Sequence, residues 1–138
     1  MEEMKEVEKE NLFITFQQTV ESIIADKRKK PKNAKLLDNF KAKINLGLQI
    51  DVNYYFWVNL LAEEGNFSLN RGRLKDYDLE LRASPEDLFY FSNGEYSTLK
   101  VIMKKNNFGN RKLRFSKSSN GKRNLGMLLK LSKILVLD

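Results

Sequence analysis

The stretch from Tyr77 to Asn107, YDLELRASPEDLFYFSNGEYSTLKVIMKKNN, decides how the rest of the chain is read. Leu79, Leu81 and Ala83 alternate with Asp78, Glu80 and Arg82, the two-residue period of a strand that buries one face. That strand is expected to end at Ser84. A serine there can accept a hydrogen bond from an orphan amide of a first helical turn. Pro85 already has the φ wanted at the first helical position, and Glu86 and Asp87 suit the positive end of a helix. Ser84-Pro85-Glu86-Asp87 therefore reads as a helix start. Leu88, Phe89 and Phe91 give the helix an apolar side, and Asn93-Gly94 ends it because both residues tolerate positive φ. Leu99, Ile102 and Met103 then recur at helical spacing, so a second short apolar helix is expected.

Working outward, Leu12, Phe13, Phe16, Val20, Ile23 and Ile24 recur every three or four residues, which predicts an amphipathic helix over 9–25. The basic run from Lys27 through Pro31 to Asn33 reads as a linker over 26–33, and Leu36, Leu37 and Phe40 as a second, shorter helix. From Ile44 to Val52 the alternation is complete: Ile44, Leu46, Leu48, Ile50 and Val52 on one face, Asn45, Gly47, Gln49 and Asp51 on the other. After a turn at Asn53, Tyr54 to Ala62 is apolar on both faces, the pattern of a strand in a covered sheet, and does not say whether the Phe56 or the Trp57 side meets the core. Glu63-Glu64-Gly65-Asn66 reads as a hairpin turn into Phe67-Ser68-Leu69, and Arg71-Gly72-Arg73 opens the next turn. Arg111 to Phe115 is a fifth strand, and Leu125 to Leu137 a closing helix. The expected architecture is α+β: one domain over 1–138, with its core at 34–138, built on a five-stranded, mainly antiparallel sheet covered by helices on one face.

The order Asp78-Leu79-Glu80-Leu81, Ser84-Pro85-Glu86-Asp87-Leu88, Gly94, Arg111-Lys112-Leu113-Arg114-Phe115 and Gly126-Met127-Leu128-Leu129-Lys130-Leu131 resembles the sterol carrier protein 2 (sterol-transfer) domain family, in sequence from Asn33 to Leu137. Each motif is common; their order and spacing carry the resemblance. The chain departs from the family pattern between Ser116 and Arg123, where a longer, basic segment replaces a short Gly-Asp turn. The resemblance implies an apolar tunnel between sheet and helices that accepts a sterol, fatty acid or acyl-CoA and moves it without altering it. The residues expected to wall that tunnel are Leu48, Ile50, Leu81, Leu88, Phe91, Ile102, Met103, Leu128 and Leu135.

Composition narrows the chemistry. With 138 residues and neither cysteine nor histidine, the chain has no disulfide, no thiolate nucleophile and no imidazole base or metal ligand. No run reaches the ~18 apolar residues of a membrane span, and the acidic start is unlike a signal peptide. A C-terminus without a Ser-Lys-Leu-type address adds the expectation of a cytoplasmic protein. The net charge of +7 is concentrated over 27–43 and 96–138. Such stretches suit a solvated surface or an anionic membrane surface. Nucleic acid is less well served, because Phe108 and Phe115 are the only candidates for base stacking among the basic residues, and Phe115 alternates as a core residue. Asp76 with Asp78, and Glu86 with Asp87, read as structural rather than as acid–base or metal pairs, and Ser116–Lys122 lacks the Gly-x-x-x-x-Gly-Lys-Ser/Thr order that cradles phosphate. The reading is thus a non-catalytic lipid-binding domain with no metal and no cofactor. A second reading keeps the fold with a core filled by Phe and Tyr, as an interaction module; a third is a basic nucleic-acid-binding protein.

Overall fold

Alternation over residues 42–63 makes two long strands, and the rest of the molecule assembles on them. The computed structural model describes residues 4–92, 103–116, 118–121 and 125–135. In order these form α1 (Glu6–Lys27), α2 (Pro31–Asn39), β1 (Ala42–Asp51), β2 (Tyr54–Glu63), β3 (Asn66–Arg71), β4 (Leu79–Ala83), α3 (Pro85–Ser92), β5 (Arg114–Ser116) and α4 (Leu125–Leu135). The five strands lie in the order β3-β2-β1-β4-β5. Three pairs are antiparallel, and β1 with β4 is parallel. The fold class is the one read from the sequence, with one parallel pair in the sheet.

The β2–β3 hairpin turns through Glu64 (φ 51°) and Gly65 (φ 81°). Positive φ at both central residues matches the right-handed twist of the flanking strands. Arg28, at the end of α1, donates to the Gly65 carbonyl and reaches Asp38 at 3.3 Å, which ties both helical hairpin arms to that turn.

One face of the sheet is apolar. Ile44, Leu46 and Leu48 of β1, Phe56, Val58 and Leu60 of β2, and Leu79, Leu81 and Ala83 of β4 join Phe16, Leu37, Phe91, Leu128 and Leu131 of the helices in one buried cluster. The side of β2 that meets the core is therefore the Phe56 side. α1 packs on α2, α4 and β3, and α3 on β1, so the helices cover this face. Removing a residue as large as Leu128, which is fully buried, costs its transfer energy plus a cavity.

The cap foreseen at α3 is present: the Asp87 N–H donates to Ser84 Oγ at 3.1 Å, and the Ser84 hydroxyl donates to the Asp87 carboxylate at 2.9 Å. Other boundaries differ from expectation. α1 starts at Glu6 and runs through Lys27. Pro31 does not lie in a linker but occupies the first position of α2, where its missing N–H would have had no helical partner. β5 is only Arg114–Ser116, because Lys112 turns aside to the Asp87 carboxylate at 3.0 Å and its N–H bonds Lys104 instead of β4. The segment from Ser118 to Gly121 is tied down rather than free: Ser119 bonds Tyr77 through its N–H and Asp76 through its hydroxyl. Expectations for Asn93–Ile102, and for Val136–Leu137 as the end of the last helix, lie outside the described residues.

Candidate functional site

The layer between sheet and helices is where the expected wall residues were to meet, and most do. Leu48 and Leu128 are wholly buried, and Leu81 and Phe91 nearly so. Ile50, Leu88 and Leu135 are half-buried and pack against the same cluster. Met103 does not join them: it is 57 % exposed, at the head of a polar segment where its carbonyl accepts from Arg111 Nη1. Ile102 lies outside the described residues. Phenylalanines fill much of the layer. Phe16 of α1 stacks on Phe89 of α3 at 4.7 Å between centroids, and Phe40 on Phe67 at 6.2 Å.

Of the grooves that open on this layer among the described residues, two lie between helices. One, of about 420 Å³, runs between α1 and α3 and is lined by Thr15, Thr19, Ser22, Ile23, Phe89 and Ser92 among others. Its floor is Ile23 and Phe89; its rim is hydroxyls. The other, about 210 Å³, lies between α2 and α4, with Leu36, Phe40, Met127 and Ile134 below Lys41 and Lys130. The first is of a size that small ligands occupy. Ile23 and Phe89 read from sequence only as core positions of their helices; what makes them a groove floor is the approach of α1 to α3, which no local pattern encodes.

The carboxylates that could have carried acid–base chemistry are engaged structurally. Asp76 accepts from Ser119 and faces Lys43, and these two contacts, the hydrogen bond first, hold its carboxyl below the ordinary aspartate range. Asp78 accepts the Lys43 N–H at 2.9 Å. Asp87 serves the α3 cap and Lys112, and Glu86 accepts from the Tyr90 hydroxyl. Among the described residues no group of three or more metal-ligating side chains occurs, and no helix is long and apolar enough to cross a membrane.

No protein-family model and no curated protein sequence matches the chain. Solved structures do. A sterol carrier protein domain 2 of Helicoverpa armigera superposes with a TM-score of 0.60 at 14 % identity, over 86 % of this chain and 83 % of that one. A ubiquinone synthesis protein, UbiJ-SCP2, gives 0.64 at 8 % identity over 92 % and 95 %. Sterol carrier protein 2 like 2 of Aedes aegypti gives 0.57 at 12 % identity over 88 % and 96 %. Identities this low establish a shared fold, spanning nearly the whole chain.

Proposed function

We propose that this chain, which has the sterol carrier protein 2 fold, is a non-catalytic lipid-binding module that takes the apolar part of a fatty acid, fatty acyl-CoA or sterol between its sheet and its helices. The observation that carries the reading is the groove between α1 and α3, which leads from the surface onto the apolar layer over Ile23 and Phe89. An acyl chain gains about 0.8 kcal/mol for each CH₂ taken out of water, so ten buried carbons outweigh a moderate cost of association. At the rim the Thr15 and Thr19 hydroxyls donate to the Asn11 and Thr15 carbonyls, which leaves their oxygens to accept and the exposed Ser22 hydroxyl to donate to a polar head left at the surface. Titrating the full chain with a fluorescent fatty acid tests this. Saturable uptake is expected, and Ser22→Trp, which adds bulk at an exposed rim position, is expected to weaken it about tenfold with little change in melting temperature. Absence of uptake by the wild-type chain would overturn the reading. The packed phenylalanines of the layer would then favour the alternative of an interaction module with a filled core.

A further inference from the structure

The sheet has a second face, which the described helices leave uncovered, and its chemistry is of another kind. Strand register places on it Tyr55 and Trp57 of β2, Gly47 and Gln49 of β1, Glu80 and Arg82 of β4, and Arg114 of β5. Arg73, from the turn after β3, lies over the Trp57 ring at 4.2 Å. Three of the seven arginines thus meet here in a chain that has 18 lysines. A guanidinium differs from an ammonium in offering a planar fork of donors that fits an oxyanion in two-point fashion.

Among the described residues, the carboxylate that the arginines around Tyr55 and Trp57 reach is that of Glu80, almost wholly buried, and it is committed: Arg73 Nη2 and Nε donate to it at 2.6 and 3.0 Å, and Asn45 at 3.1 Å. Arg82 reaches it only at 3.5 Å. Arg114 donates to the neutral oxygens of Gln49 and Tyr55. Arg82 and Arg114 are direct cross-strand partners, a like-charge pairing that costs stability. Both guanidiniums sit by one ring, 5.2 and 5.6 Å from the Tyr55 centroid. The Nε of each is buried without a hydrogen-bond partner, while Nη2 of Arg82 faces Glu80 and Nη2 of Arg114 donates to Gln49 and Tyr55.

We propose that Arg82 and Arg114 form a binding site for a phosphate monoester dianion on the helix-free face of the sheet. Arg73 and Arg82 share the single carboxylate of Glu80 and Arg114 faces only neutral oxygens, so this cluster is short of negative charge, and a dianion supplies more of it than a carboxylate or phosphodiester monoanion. Its oxygens supply the acceptors that both Nε–H groups lack. Nucleic acid fits less well, because the faces of Tyr55 and Trp57 on which bases would stack already carry guanidiniums. The site stands apart from the α1–α3 groove and does not depend on lipid being bound there.

The test uses the full chain and its single tryptophan, Trp57, at pH 8 with ionic strength matched by sodium chloride. Glycerol 3-phosphate is expected to change Trp57 emission saturably and to raise the melting temperature, while dimethyl phosphate and acetate bind at least about tenfold more weakly. Arg82→Lys and Arg114→Lys, each keeping the charge and losing the fork, should each weaken binding about tenfold, so the test survives if either fails to fold. Lys29→Gln/Lys30→Gln, in the other basic stretch, should leave it unchanged. Vesicles of phosphatidic acid in phosphatidylcholine separate the sources. Sedimentation of the chain with them, lost in Arg114→Lys, assigns a lipid headgroup; no sedimentation, with glycerol 3-phosphate still bound, assigns a soluble phosphate. A response no larger than that to chloride, undiminished wild-type binding in both arginine variants, or tighter binding of a single-stranded oligonucleotide than of glycerol 3-phosphate would overturn the proposal.

Discussion

Gly47→Ala perturbs the sheet at one point whose cost can be worked out. Gly47 is the cross-strand partner of Trp57, and a Cβ at residue 47 would lie 2.7 Å from Trp57 Cη2 and 2.9 Å from Cζ3. The indole is not free to lift away, because Arg73 lies over it at 4.2 Å and is itself held by Glu80. Overpacking of this kind costs about 1–3 kcal/mol, and displacing the ring from Arg73 forfeits about 0.5–1 kcal/mol more. Replacing a strand glycine by alanine returns about 0.5–1 kcal/mol of backbone entropy. The net loss is about 1–3 kcal/mol. With a urea dependence of about 2 kcal/mol per molar, the denaturation midpoint should fall by about 0.5–1.5 M, and Trp57 emission in the native state should shift. In a Trp57→Leu background, followed by circular dichroism, most of the penalty should disappear. A midpoint that is unchanged or raised by Gly47→Ala, with unchanged emission, would refute this packing of Trp57 on Gly47.

Ser84→Ala should lower stability by about 1 kcal/mol through loss of the α3 cap, read as a fall in the urea midpoint at constant slope. Leu128→Ala, at a wholly buried position, should cost about 2–5 kcal/mol by the same measurement; a loss under 1 kcal/mol would mean that α4 is not seated on the core. Glu6 and Asp76 have carboxyls held below their ordinary values, Glu6 by the hydrogen bond and then the charge of Arg71, Asp76 by the Ser119 hydrogen bond and then Lys43. A lowered folded-state value gives stability that is present above the ordinary carboxylate pKa and lost as pH falls through the folded one. The midpoint should therefore decline below about pH 4, and less so in Arg71→Gln.

Local signals made much of the fold legible. The alternation of β1, the apolarity of β2 and the Ser84-Pro85-Glu86-Asp87 start each depend on neighbours in sequence, and each marks the element it was read for. β1 nevertheless spans Ala42–Asp51 and leaves Val52 exposed in the turn, and Tyr55 and Trp57 on the other side of β2 are only half-buried. What depended on tertiary pairing was not legible. Pro31 could equally mark a linker or a first helical turn. β5 is short because Lys112 leaves it for Asp87, 25 residues away in sequence. The arginine face needed the parallel pairing of β1 with β4, which brings Arg82 beside Gly47 and so within reach of Trp57 and Tyr55. With β4 assigned only a generic place in the sheet, those aromatics and arginines looked unrelated. Leu48, Leu81 and Leu128 lie in the buried core, as their apolar periodicity implies, without lining either groove, whereas Met103 does not, since the polar residues after it hold that segment at the surface.

Native mass spectrometry of the purified full chain, alongside its organic extract, tests the lipid-binding reading most directly. The account predicts an adduct with the mass of a fatty acid, fatty acyl-CoA or sterol that reappears in the extract, or that forms when the delipidated chain is offered a fatty acid. A bare polypeptide mass before and after such an offer, with an extract free of lipid, would contradict it.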